Sequence, residues 1–199
     1  MKRVKKFALP LIGVGVFAWA TSPVFAHCGK CAGDCKEVLK QMDAGKITAA
    51  SMVAAAEAQA KGKAVGLMVD LEKDKMDADV FVLVGDKVQA VAIGADGKAG
   101  KMEEAKDMKG MGDVAKSMDA AKVTIGAVIG AAEEKSKGKT LAVTSAAKDG
   151  KASFEVYCLA SDKIQKVTVD NAGKATGMEE AKMLPYAANE EKPKPKPGG

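Results

Sequence analysis

The sequence predicts an α+β fold of two tandem repeats, each a helix packed on a three-stranded antiparallel sheet. Three observations carry this. Residues 40–106 and 116–182 align without a gap, with roughly 27 of about 67 positions identical, a period too long for a solenoid unit and suited to a small domain. In each copy a threonine precedes small apolar residues at helical spacing, closed by Lys-Gly. Three short apolar runs then follow, separated by polar turns.

The chain opens with MKRVKK and the apolar run FALPLIGVGVFAWA. A basic start, a short apolar stretch and small residues at Val24 and Ala26 read as a secretory signal peptide, 1–26. The alternative is an uncleaved anchor, which the shortness of the run disfavours. A lipoprotein signal is disfavoured because His27, not a small residue, precedes Cys28. The expected location is periplasmic or secreted, with no transmembrane segment after cleavage.

The formal charge of +5 includes Lys2, Arg3, Lys5 and Lys6 of that segment. Without them the balance is about +1, with acids and bases mixed, and nucleic acid is not an expected partner. The mature chain keeps Phe81, Phe154, Tyr157 and Tyr186 as its aromatics. Its cores must be built from Val, Ala, Leu, Ile and Met, so modest stability is expected.

Residues 27–39 form a cysteine-rich segment with Cys28, Cys31 and Cys35. If the helix suggested by CKEVLKQM extends back over them, the three sulfurs share a face with Leu39 and Met42. Three readings stay open. The thiols hold a soft metal, Cu(I) or Zn(II), with His27 or the new N-terminal amine as fourth ligand. They form disulfides, which an extracytoplasmic compartment favours. Or they pack as small apolar side chains. Haem attachment is excluded, because Ala32 follows Cys31 where a histidine is required.

In the first repeat, 40–106, Thr48 is the expected N-cap of a helix running to about Lys61, with Gly62 as its C-terminal glycine. Ala49, Met52, Val53, Ala55, Ala56 and Ala60 make its apolar face. Ile125, Val128, Ile129, Ala131, Ala132 and Ser136 make that of the second, after Thr124. The strands expected next are AVGLMVDL, ADVFVLV and KVQAVAIG, and then TLAVTSAA, FEVYCLA and KIQKVTV. Asp149-Gly150 is a strong hairpin signal, and Gly85-Asp86 and Ser161-Asp162 are weaker ones. Alternation in FEVYCLA puts Phe154, Val156 and Cys158 on one face and Glu155, Tyr157 and Leu159 on the other. Cys158, aligned with Val82, reads as a core thiol, with a disulfide to the 28–35 cluster as the alternative.

Each repeat closes with Met-Glu-Glu-Ala-Lys, at 102–106 and 178–182. Glutamates early and lysine late read as a short helical tail rather than a catalytic pair. Residues 107–115 read as a linker between the repeats. Residues 183–199 read as a disordered Lys/Pro-rich tail, with Pro185 ending the last helix.

The second copy carries a resemblance to a known family. Glu155 and Val156 stand in a middle-strand motif, and Val169, Asp170, Gly173 and Lys174 in a closing "VD-(x)-G-K" motif. With the helix-then-strands order, these resemble the PepSY domain family. The first copy departs, with Asp79-Val80 in the middle motif and Gly94 in place of the closing aspartate, while keeping Gly97-Lys98. The resemblance implies a cystatin-like helix-on-sheet fold, an extracytoplasmic setting and local modulation of proteases.

Function is therefore expected to be that of a non-enzymatic binding module engaging an envelope protein, in particular a protease, through strand addition at a sheet edge. The alternative is an extracytoplasmic metal or thiol-redox protein using the cysteine cluster. No catalytic residues are expected. The one histidine is His27, and no Gly-x-Ser-x-Gly elbow, His-Glu-x-x-His motif or phosphate-binding glycine loop is present.

Overall fold

Each repeat folds as two helices followed by four antiparallel strands. The structure is a computed structural model and describes residues 32–185 apart from 73 and 107. The first repeat holds α1 (Ala32–Gly45), α2 (Ala49–Ala60), β1 (Lys63–Glu72), β2 (Lys75–Val84), β3 (Lys87–Ile93) and β4 (Ala99–Glu104). The second holds α3 (Met111–Ala121), α4 (Ile125–Ser136), β5 (Lys139–Lys148), β6 (Lys151–Ala160), β7 (Lys163–Val169) and β8 (Ala175–Ala181).

The α+β class holds, but the arrangement corrects two separate three-stranded sheets. All eight strands form one antiparallel sheet, ordered β4-β3-β2-β1-β5-β6-β7-β8. The copies join where Leu67 lies opposite Val143 and Met68 opposite Ala142. Ala64, Val65 and Leu67 of β1 and Leu141 and Ala142 of β5 are fully buried. As separate sheets, these strands would each expose an apolar edge with unpaired backbone groups, and pairing them removes both edges. On the helix layer α2 and α4 also meet.

Thr48 explains the start of α2. Its hydroxyl accepts from the Ser51 amide at 3.1 Å, and Ser51 Oγ accepts from the Thr48 amide at 2.9 Å, a reciprocal cap. Thr124 repeats half of it, accepting from the Ala127 amide at 3.2 Å. The helix ends differ from expectation. Lys61 and Lys137, not the glycines, take the left-handed conformation, with φ of 53° and 55°. Gly62 and Gly138 follow because strands pass too close for a side chain. A Cβ at Gly62 would lie 2.4 Å from the Leu83 carbonyl oxygen, and one at Gly138 2.5 Å from that of Leu159.

The sequence Met-Glu-Glu is strand, not helix, in both copies. Glu104 pairs with Gln89 and Glu103 with Ala90; Glu180 pairs with Gln165 and Glu179 with Lys166. Backbone bonding to β3 and β7 overrides the helix propensity of glutamate and methionine. With strand there, no helix remains for Pro185 to stop. The segment read as a linker enters α3 at Met111. At the other boundary, α1 runs across residue 40 and buries Cys35, Val38 and Met42. Cys35 and Val38 of the cysteine-rich segment thus belong to the first repeat's core.

One face of the sheet carries the helices. Met76, Ala78, Val80 and Val82 of β2, and Ala152, Phe154, Val156 and Cys158 of β6, are buried in one cluster with Met52, Val53, Ala56, Val114, Met118, Val128 and Ile129. The middle of the other face is open. Asp77, Asp79, Phe81, Ala90 and Ala92 are half-buried there, as are Glu155, Lys166 and Thr168, while Glu103, Ser153 and Glu179 are exposed.

Candidate functional site

The closing motif of the resemblance is a turn. Asp170 Oδ1 accepts from the amides of Ala172 at 2.9 Å and Lys174 at 3.0 Å. The Gly173 amide donates to the Asp170 carbonyl at 2.9 Å, and Gly173 has φ of 75°, a value that favours glycine. In the first copy Gly97 takes the same conformation, and Asp96 Oδ1 accepts from the Lys98 amide at 3.0 Å. A different aspartate therefore holds the equivalent turn. Val156 and Val169 are core residues, fully buried. Of the motif residues, Glu155 is the one whose side chain meets charged groups on the open face.

That cluster is built by register. Tyr157 lies opposite Lys166 and Lys166 opposite Glu179, while Glu155 lies two pairs along on the same face, opposite Thr168. Lys166 Nζ contacts Glu179 Oε1 at 2.7 Å and Glu155 Oε1 at 3.3 Å. The Tyr157 hydroxyl donates to Glu155 at 3.2 Å. The two carboxylates, Glu179 first, hold the Lys166 ammonium well above its ordinary pKa. Burial, then the charge of Glu155, raises that of Tyr157.

The first repeat builds the same framework without the ammonium. Phe81 lies opposite Ala90 and Ala90 opposite Glu103, with Asp79 two pairs along on the same face, opposite Ala92. Asp79 takes the place of Glu155, Phe81 that of Tyr157, Glu103 that of Glu179, and Ala90 that of Lys166. Burial, and then Glu103, raises the carboxyl of Asp79 above its ordinary range. Among the described residues no basic group reaches Asp79. Glu103 pairs with Lys101, both side chains being largely exposed, and this pair lowers the Glu103 carboxyl.

Of the expected metal site, His27, Cys28 and Cys31 lie outside the described residues. Cys35 is buried on α1. No group of three or more metal-ligating side chains occurs among the described residues. Cys158 carries a free thiol in the core, 3.6 Å from Thr140 Oγ1, and burial raises its pKa. Among the described residues no helix is long and apolar enough to cross a membrane.

The open-face cluster was not foreseen. Its signal is the pair GDKVQAV and SDKIQKV, where Ala90 answers Lys166 as the one exchange that adds a charge, and only the strand register gives that difference meaning.

No family model and no curated protein matches the chain. One solved structure, that of a proposed lipoprotein from Clostridium difficile 630, is similar at 14% identity with a TM-score of 0.39, over 63% of this chain and 87% of that one.

Proposed function

We propose that the chain is an exported, non-enzymatic binding module of two PepSY-like domains that modulates an extracytoplasmic protease. The observation supporting this reading is the open sheet face, where half-buried acidic, aromatic and small side chains stand on rigid strands instead of being packed by helices. A flat, chemically mixed surface on a rigid scaffold suits protein recognition. The open face is favoured over the edges as the docking surface. Edge strands β4 and β8 are short, have irregular pairing, and carry Lys101, Glu103, Glu104, Glu179 and Glu180, features that discourage strand addition.

The test is inhibition. The chain from His27 is titrated into purified envelope proteases of its host and into a thermolysin-like metallopeptidase. The reading expects saturable slowing of at least one enzyme at equimolar ratio. Unchanged rates throughout the panel, with no complex by gel filtration, would remove it.

A further inference from the structure

We propose that the open face of the first repeat contains a subsite for a lysine or arginine side chain of the protein partner, seated over Ala90 between Asp79, Glu103 and Phe81. The inference rests on the binding-module reading and specifies the chemistry of the partner.

The second repeat is the internal comparison. Its framework clasps a cationic side chain, with Lys166 Nζ held by Glu155 and Glu179. The first repeat keeps a carboxylate at both clasping positions and an aromatic ring beside them, but has a methyl group where the lysine would rise. Truncating lysine to alanine within one cross-strand frame leaves room for a cation supplied from outside.

The electrostatics agree. Asp79 is half-buried and lacks a basic neighbour among the described residues, so its charge is left uncompensated. Glu103 has Lys101, but a strongly exposed pair of this kind contributes little and exchanges readily. The counterpart of Lys101 in the second repeat is Gly177. Phe81 offers a ring where Tyr157 stands beside Lys166, and a cation over an aromatic face gains further attraction. The planar fork of arginine can meet both carboxylates at once.

The test is an NMR titration of the isotopically labelled chain from His27 to Gly199 with the blocked tripeptide acetyl-Gly-Arg-Gly-amide. Its neutral isostere, with citrulline for arginine, is the control. Saturable shifts are expected at the amides of Phe81, Ala90 and Glu103 and at the Asp79 carboxyl carbon. Citrulline should bind at least tenfold more weakly. Ala90→Lys, which supplies the chain's own ammonium, should lower affinity at least tenfold, and Asp79→Asn should do so if Ala90→Lys fails to fold. Lys166→Ala should open a second equivalent site at Tyr157 and Glu179.

Equal binding of citrulline, shifts scattered over the acidic surface, or full affinity in both first-repeat variants would overturn the proposal. So would binding that emerges only after Lys192, Lys194 and Lys196 are changed to Gln, since the occupant would then be the chain's own tail. Protease modulation is read separately. A chain that binds the peptide but slows no protease refutes the modulation reading alone. A chain that slows a protease equally well with Ala90→Lys refutes the subsite as the partner's anchor.

Discussion

Replacing Gly62 by alanine should cost about 3 kcal/mol, the upper end of what overpacking costs. The new Cβ would lie 2.4 Å from the Leu83 carbonyl oxygen and 2.8 Å from both Val82 Cγ1 and Val84 Cγ2. These are backbone and strand atoms with no room to yield. Relief requires the end of α2 to lift by roughly 0.8 Å from β2, which loosens contacts of close-packed side chains. Ala56, Ala64 and Val82, all fully buried, are the residues affected. Lys61→Gly should act in the opposite direction. Lys61 sits at φ 53°, so glycine removes a strain of about 1 kcal/mol, offset in part by its greater unfolded entropy. Urea unfolding of the chain from His27, followed by circular dichroism, measures both. If Gly62 were instead the left-handed cap, Gly62→Ala would cost only about 1 kcal/mol and Lys61→Gly would destabilise. That pair of results would refute the account of how α2 meets the sheet.

Three further outcomes follow. Asp79→Asn should raise stability at pH 7, because it removes a carboxylate whose charged form is disfavoured by burial and then by Glu103. A carboxyl with a raised folded pKa loses stability as pH rises from its unfolded value through the folded one, so the gain should vanish below about pH 4 in a pH series of urea melts. Cys158→Val should cost about 1–2 kcal/mol, because the buried Thr140 hydroxyl loses the thiol 3.6 Å away, whereas Cys158→Phe should cost about 3 kcal/mol by overpacking a fully buried site; thermal melts distinguish them. A fragment starting at Lys40 should be weakened by several kcal/mol relative to one starting at His27, because it removes buried Cys35 and Val38 and half of α1. Equal melting temperatures would show that the part of α1 before Lys40 contributes nothing to stability.

Much of the fold was legible. Thr48 and Thr124 announced their helices through capping, and Asp149-Gly150 announced its turn, with φ of 51° and 72°, as a two-residue hairpin demands. The strands β4 and β8 were hidden because Met-Glu-Glu has no alternating burial to display. Met102 and Met178 are 43% and 48% exposed, and the strand state comes from pairing with β3 and β7. The joining of the sheets was hidden too. It depends on pairing between residues some 75 positions apart, at Leu67 and Val143, which local pattern does not encode. The glycine after each helix was visible, but its cause was not. Composition marks a glycine, and only packing tells a left-handed turn from a close approach. At the open face, the exchange of Ala90 for Lys166 was a mismatch between aligned copies, without meaning until Asp79, Phe81 and Glu103 were placed around it.

The most direct test of the account places a photocrosslinking benzoylphenylalanine at Phe81 on the open face and, in a second variant, at Met178 on the edge strand. Each is expressed in the host and irradiated in intact cells. The account predicts a discrete adduct with a protease from Phe81, lost when Ala90→Lys is added, and none from Met178. A protease adduct arising from Met178 alone would contradict it and return recognition to the sheet edge.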